Sequence, residues 1–186
     1  NEALARYQKE HSLTLSDIEN LKSCEIENIV PIFLFKQPEL LVSLCGVILR
    51  TIYRLVDHRV FLKQPYTATE VPFTHISLQE LFGEHSILNA VCGNAEALKK
   101  AAIGFAGEEF IHDEEDCLDG LCELINSING MFASKMSSED MDLDMRVPQY
   151  HLNAGTLKAD SLLCIPVVVF DQELTFVLSL DTPYSI

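Results

Sequence analysis

EEDCLDGLCELINSINGMFASK, residues 114 to 135, is the stretch from which the rest of the chain can be read. At about 100° per residue, Leu118, Leu121, Cys122, Ile125, Ile128 and Phe132 gather on one side of a helix, while Asp119, Glu123, Asn126 and Gly130 gather roughly opposite. One face can close over a core. The other presents a carboxylate, a second carboxylate one turn on, a carboxamide within its reach, and a glycine that clears room beside the amide. Spacing alone equally describes an ordinary solvated helix face, so the pattern by itself does not decide function. By the same angular count Asn129 turns toward the core side and, like Ser127, is expected to be structural.

Working outward from this helix, residues 137–152, SSEDMDLDMRVPQYHL, alternate polar and apolar side chains and predict one strand with Pro148 near its end. Asn153-Ala154-Gly155 is a turn. SLLCIPVVVF and ELTFVLSL, joined around Asp171-Gln172, are rich in branched and aromatic residues and predict a long β-hairpin. On the other side, Asn94 is placed to cap NAEALKKAAIGFAG, an Ala-rich helix stopped near Gly107. Before it, HISLQELF and HSILNAVCG, parted by Gly83-Glu84, predict a hairpin whose inward set is Ile76, Leu78, Leu88 and Ala90. RVFLKQPYTATEVPF, residues 59–73, reads as an irregular edge strand because Pro65 and Pro72 discourage a helix. Pro38 opens a core helix, PELLVSLCGVILRTIYRLVDH, with Leu41, Leu44, Cys45, Ile48, Ile52 and Leu55 on one side.

Residues 1–37 differ in character. Ser16 with Glu19 fits a capping box for a short helix to about Cys24, and NIVPIFLF, residues 28–35, reads as an edge strand or docked extended segment because Pro31 lies inside it. The chain opens on Asn1 and not on Met, so residues are expected upstream and no targeting signal is read. With 186 residues, 48% of them hydrophobic, one compact domain with an appendage suffices. A net charge of −15 with only 13 Lys and Arg argues against nucleic acid and against an anionic membrane as partners. No apolar stretch approaches the roughly 20 residues of a spanning helix, and a cytoplasmic protein is expected. The cysteines, at 24, 45, 92, 117, 122 and 164, form no C-x-x-C pair and read as small buried hydrophobes. His112 to Asp116 is rich in metal-capable atoms, but consecutive residues ahead of a helix cannot all point at one ion, and acidic groups there complement the helix dipole. No metal is assigned.

Asp119-x3-Glu123-x2-Asn126 followed by Pro148, with GEEF at 107–110 ahead of the helix and Gly130 four residues past the amide, resembles the CheC/CheX-type chemotaxis phosphatases, closest to the single-motif CheX branch. The resemblance runs from Pro38 to the end of the chain. It implies an N-terminal extension over 1–37 and a CheX-like domain over 38–186. The implied fold is α+β, a CheC-like arrangement of two helix-and-sheet pseudo-repeats with long helices packed on a largely antiparallel sheet. In the first repeat Ser43-x3-Val47-x2-Arg50 holds the motif spacing without its chemistry. It further implies hydrolysis of the aspartyl phosphate of a CheY-like response regulator, with Asn126 orienting the attacking water and Glu123 taking the partner's active-site Lys. Asp119, Gly130 and Pro148 would shape the interface. The protein needs no cofactor of its own on this reading, since the regulator supplies Mg²⁺. A homodimer is expected, formed by strands, because the C-terminal hairpin would otherwise leave a long unpaired edge. The alternatives are a non-catalytic receiver-binding adaptor or regulatory dimer module, and a ligand sensor using a pocket between the repeats, for which no aromatic or basic cluster speaks.

Overall fold

The computed structural model describes residues 25–34 and 36–186, together with Thr14, Ser16, Asp17 and Glu19. In chain order the elements are α1 (Ile26–Phe33), α2 (Glu39–Leu55), β1 (Phe61–Leu62), β2 (Tyr66–Phe73), β3 (His75–Gly83), β4 (Ile87–Gly93), α3 (Ala95–Ala106), a 3₁₀ turn (Glu108–Phe110), α4 (Glu114–Ser137), β5 (Leu143–Met145), β6 (Gln149–His151), β7 (Gly155–Val169), β8 (Gln172–Leu180) and β9 (Tyr184–Ser185). All strand pairs are antiparallel, in the order β1-β7-β8-β4-β3-β5, with β2 and β9 also on β7 and β6 also on β3. The helices pack on one face of this sheet, giving the mixed helix-and-sheet architecture expected from the sequence.

The main core lies between helices and sheet. Leu44, Cys45, Ile48 and Ile52 of α2, Leu118, Leu121, Ile125, Ile128 and Phe132 of α4, and Ile165, Val167, Leu174, Phe176 and Leu178 of the sheet are its centre, each at most 1% exposed. The helical stripes read from the sequence are therefore the packed ones, except that Leu55, at the end of α2, is exposed. A second, smaller core occupies the other face of the sheet, where β2 and the first half of β7 bring Val71, Phe73, Leu157 and Leu162 against Ile76, Leu78, Leu88, Ala90, Cys92 and Val177. The expected inward set of the β3–β4 hairpin belongs to this second core. The side that faces the helices is Ser77, Gln79, Leu81 on β3 and Ile87, Asn89, Val91 on β4, the register pairing Gln79 with Asn89. Both faces of the hairpin are buried, so alternation of hydrophobicity could not identify the helix side.

Three further expectations change. NIVPIFLF is not extended: Ile26–Phe33 is helical, and Val30 and Leu34 are each 2% exposed in the main core. Pro31 is tolerated because it lies in a helix of only 8 residues and is itself exposed. The cap upstream is Thr14 rather than Ser16: Thr14 Oγ1 accepts from Asp17 N at 3.2 Å, and Asp17 Oδ2 accepts from Thr14 N at 2.7 Å. The remainder of the helix expected to reach Cys24 falls outside the described residues. Finally, the C-terminal hairpin is not an edge, because β7 lies between β8 and the β1–β2 side while β8 lies between β7 and β4. Its turn places Phe170 and Asp171 at φ 48° and 61°, the left-handed values a two-residue hairpin needs.

Candidate functional site

The start of α4 is built by its own acidic residues. Asp113 Oδ1 accepts from Asp116 N at 2.9 Å and Asp116 Oδ2 accepts from His112 N at 3.0 Å, a reciprocal cap that uses the carboxylates of the metal-capable run on backbone amides. Among the described residues no three His, Cys, Asp or Glu side chains converge to hold a metal ion. Farther along, Ser77 Oγ donates to Leu118 O at 2.9 Å, tying α4 to β3. Cys122 Sγ lies 3.4 Å from Gln149 O, under β6; burial pushes its thiol up to about 11, so it is a neutral packing group. Beside it, the hydrogen bond from Tyr150 Oη to Glu115, at 2.7 Å, pushes the Tyr150 phenol up to about 12.

On the outer face Asp119 and Glu123 are exposed, and Asn126 and Gly130 are partly exposed. The sequence-predicted set therefore forms one continuous row along α4. A Cβ at Gly130 would meet only the Met145 methyl, at 3.8 Å, so the chain itself does not require glycine there. The opposite motif position on α2 is not displayed in this way. Val47 is buried, Ser43 Oγ receives Lys135 Nζ at 2.6 Å, and Arg50 pairs with Glu27 of α1.

What sequence reasoning missed lies beneath Asn126. Gln79 Nε2 donates to Asn126 Oδ1 at 2.8 Å and to Arg146 O at 2.7 Å. Gln79 Oε1 accepts from Asn129 Nδ2 at 2.8 Å, and Asn129 Oδ1 accepts from Asn89 Nδ2 at 2.8 Å. Gln79, Asn89 and Asn129 are each at most 1% exposed. Four carboxamides thus form a row from the sheet interior to the helix surface. Asn129 is on the core side, as its angle indicated. A usable signal existed: two polar residues opposite each other in a hairpin, and two asparagines three apart on a helix.

Pro148 also has a different setting from the one expected. Of residues 137–152, Ser137 closes α4 and 138–140 are a turn, and the rest makes two short strands, not one, because β5 pairs with β3 as far as Leu81–Met145 and β6 resumes at Leu78–Gln149. Between them Arg146, Val147 and Pro148 stand opposite Gln79 and Glu80, a bulge of three residues against two. Arg146 N still donates to Glu80 O at 2.9 Å, but its carbonyl is turned to the Gln79 side chain. Pro148 brings no N–H to this interruption. The Arg146 guanidinium pairs with Glu80 at 2.8 Å and lies 4.8 Å from the Phe82 ring centre, and Val147 is left 81% exposed.

Residues 75–170 match the family described as Chemotaxis phosphatase CheX, a span covering more than half of the chain and including β3, β4, all of α4 and the bulge. No curated protein matches the chain. Solved structures share its fold. A chemotaxis protein CheX from Desulfovibrio desulfuricans is 15% identical, with 77% of this chain and 99% of that chain covered at a TM-score of 0.66. A CheC-like superfamily protein from a Shewanella species is 14% identical, with 76% and 96% covered at 0.62. The CheX-CheY-BeF3-Mg²⁺ complex from Borrelia burgdorferi is 15% identical, with 76% and 96% covered at 0.60. Among the described residues no helix is long and apolar enough to cross a membrane. With the match running through the whole of the acidic helix and its amide support, the chain belongs to the CheX family of chemotaxis phosphatases.

Proposed function

We propose that this chain hydrolyses the aspartyl phosphate of a CheY-like response regulator, with α4 entering the regulator's active site. The observation that carries the reading is the state of Asn126: its Oδ1 is held from below by Gln79, while its Nδ2 has no partner among the described residues and faces outward beside exposed Glu123. A similar chain from Borrelia burgdorferi forms a complex with CheY, BeF3 and Mg²⁺, which supports the choice of partner.

An acyl phosphate is already activated, so the phosphatase has chiefly to place a water in line with the leaving oxygen while existing cations neutralise the phosphoryl charge. Asn126 Nδ2 can donate to one lone pair of that water, leaving the other to attack phosphorus. The second lone pair of Oδ1 remains to accept a water proton. The carboxamide stays uncharged throughout and adds no repulsion toward the phosphoryl group. Glu123, one turn away on the same face, anchors the regulator's active-site Lys through a charge-assisted bond and sets the register. Asp119 extends the acidic face toward the rim. Gly130 keeps the approach to the amide open, and Pro148 shapes the ground beside it. The Mg²⁺ belongs to the regulator.

The test is a comparison of variants toward a phosphorylated CheY-like receiver. Glu123→Ala should weaken the complex and slow phosphate release together, because the partner's Lys loses its counter-charge. If Glu123→Ala matches wild type in both, the anchoring role fails.

A further inference from the structure

We infer that Gln79 is a positioning residue for Asn126, and that the buried row of amides sets which end of the Asn126 carboxamide the partner meets. The inference rests on the phosphatase reading for its consequence in turnover, but not for its geometry.

The polarity of the row follows from one group. Arg146 O is a backbone carbonyl and can only accept, so the Gln79 atom 2.7 Å from it must be the –NH₂. The same –NH₂ lies 2.8 Å from Asn126, so the Asn126 atom there must be the oxygen, and its –NH₂ must point out. Gln79 Oε1 then requires a donor, which makes the facing Asn129 atom Nδ2 and leaves Asn129 Oδ1 to receive Asn89 Nδ2. The row ends at Asn89 Oδ1, which is buried with no partner. A fold needing only a packed hairpin would put aliphatic side chains at these positions; an unsatisfied buried oxygen at the far end is the cost of propagating one orientation to the surface. The bulge at Arg146 to Pro148 is what frees the carbonyl that starts it.

Gln79→Glu reverses the Asn126 end of the row without changing its size, while Asn129 Nδ2 still meets an acceptor. The carboxylate that this substitution introduces can only accept when ionised, so it confronts two acceptors, Arg146 O and Asn126 Oδ1. Asn126 then turns to donate inward, and its oxygen faces the partner. Once protonated, the introduced carboxyl has one O–H, enough to donate to Asn126 Oδ1 but not to Arg146 O as well. The titratable and charged groups flanking Gln79 and Asn126 along the surrounding elements include Glu80 and Arg146, paired with each other, Asp119, Cys122 and Glu123 on α4, Asp144 on β5, and Tyr150 and His151 on β6; β4 offers the neutral Asn89.

The experiment uses the full chain as wild type, Gln79→Glu and Gln79→Leu, with solvent exchange of the Asn126 side-chain amide protons followed by NMR and phosphate release from a phosphorylated receiver measured at saturation. In wild type the Asn126 Nδ2 protons should exchange freely at every pH. In Gln79→Glu they should be protected at high pH and exchange freely again as the introduced carboxylate takes up a proton. Over the same range kcat should recover from a value about 10-fold or more below wild type at high pH, with KM little changed. Gln79→Leu should lose kcat without the pH-dependent recovery. Unchanged exchange in Gln79→Glu overturns the inference, even if Gln79→Leu fails to fold. A wild type that accelerates no receiver's dephosphorylation overturns the phosphatase reading alone, while the exchange measurement still decides the row.

Discussion

Gly130→Ala should make the protein more stable and a worse enzyme. Glycine inside a helix costs about 1 kcal/mol relative to alanine through backbone entropy, and Gly130 lies well inside the 24 residues of α4. Nothing in the chain demands it: an added Cβ would meet only the Met145 methyl, at 3.8 Å, an ordinary contact. The variant should therefore gain about 0.5–1 kcal/mol, seen as a higher urea midpoint at unchanged m, and about 1–4 °C in Tm for a chain of this size. The new methyl projects from the face that carries Glu123 and Asn126. It should raise KM for a phosphorylated receiver by about 10-fold while kcat changes less, because the loss is one of approach. A destabilised variant would refute the helix argument. A stabilised variant with wild-type kinetics would show that the partner does not use the space at Gly130.

Other expectations follow from the same structure. Asp57, 4% exposed, accepts from Phe170 N at 2.7 Å and Arg59 N at 2.9 Å; burial works to raise its pKa, but these bonds and the Arg59 charge outweigh it and hold the carboxyl below its usual value. Its contribution is thus present above the unfolded value of about 4 and lost as pH falls through the folded one. Asp57→Asn should cost about 1–3 kcal/mol near neutral pH, and the gap in unfolding free energy should close below about pH 4; parallel curves down to about pH 3 would contradict the staple. Sedimentation should show a homodimer at micromolar concentration if subunits pair through strands, though not through the C-terminal hairpin, whose edges are covered. Because β7 and β8 are interior, sheet-to-sheet pairing would have to use the β1–β2 side or the β5–β6 side, and a concentration-independent monomer removes the claim. Calorimetry of the isolated chain with Mg²⁺ or Ca²⁺ should be flat, since the carboxylates of Asp113 and Asp116 are engaged by backbone amides; a stoichiometric micromolar site would show that those carboxylates rearrange.

The exposed half of the candidate site was legible as a helix face because helical periodicity sorts residues by angle, and Asp119, Glu123, Asn126 and Gly130 do line one face of α4. Its buried half was not. Gln79 and Asn89 are polar positions in an alternating hairpin, and alternation assigns such positions to solvent; here both faces are covered, and the polar pair faces the helices. The same rule makes residues 137–152 one strand, since alternation continues through Arg146, Val147 and Pro148 and carries no mark of a change in register. NIVPIFLF misleads for the opposite reason. Pro31 argues against a helix locally, whereas burial of Val30 and Leu34 against the main core overrides that preference. Tertiary contacts decide each case, and they are not visible in any one segment.

The central claim is that Asn126 supplies catalysis and not merely contact. Single-turnover decay of a phosphorylated CheY-like receiver, with this chain in saturating excess, removes affinity from the comparison. Wild type should accelerate decay, and Asn126→Ala should bind a stable phosphoryl mimic of the receiver as well as wild type while losing on the order of 10²-fold or more of the acceleration. Decay as fast with Asn126→Ala as with wild type would contradict the account.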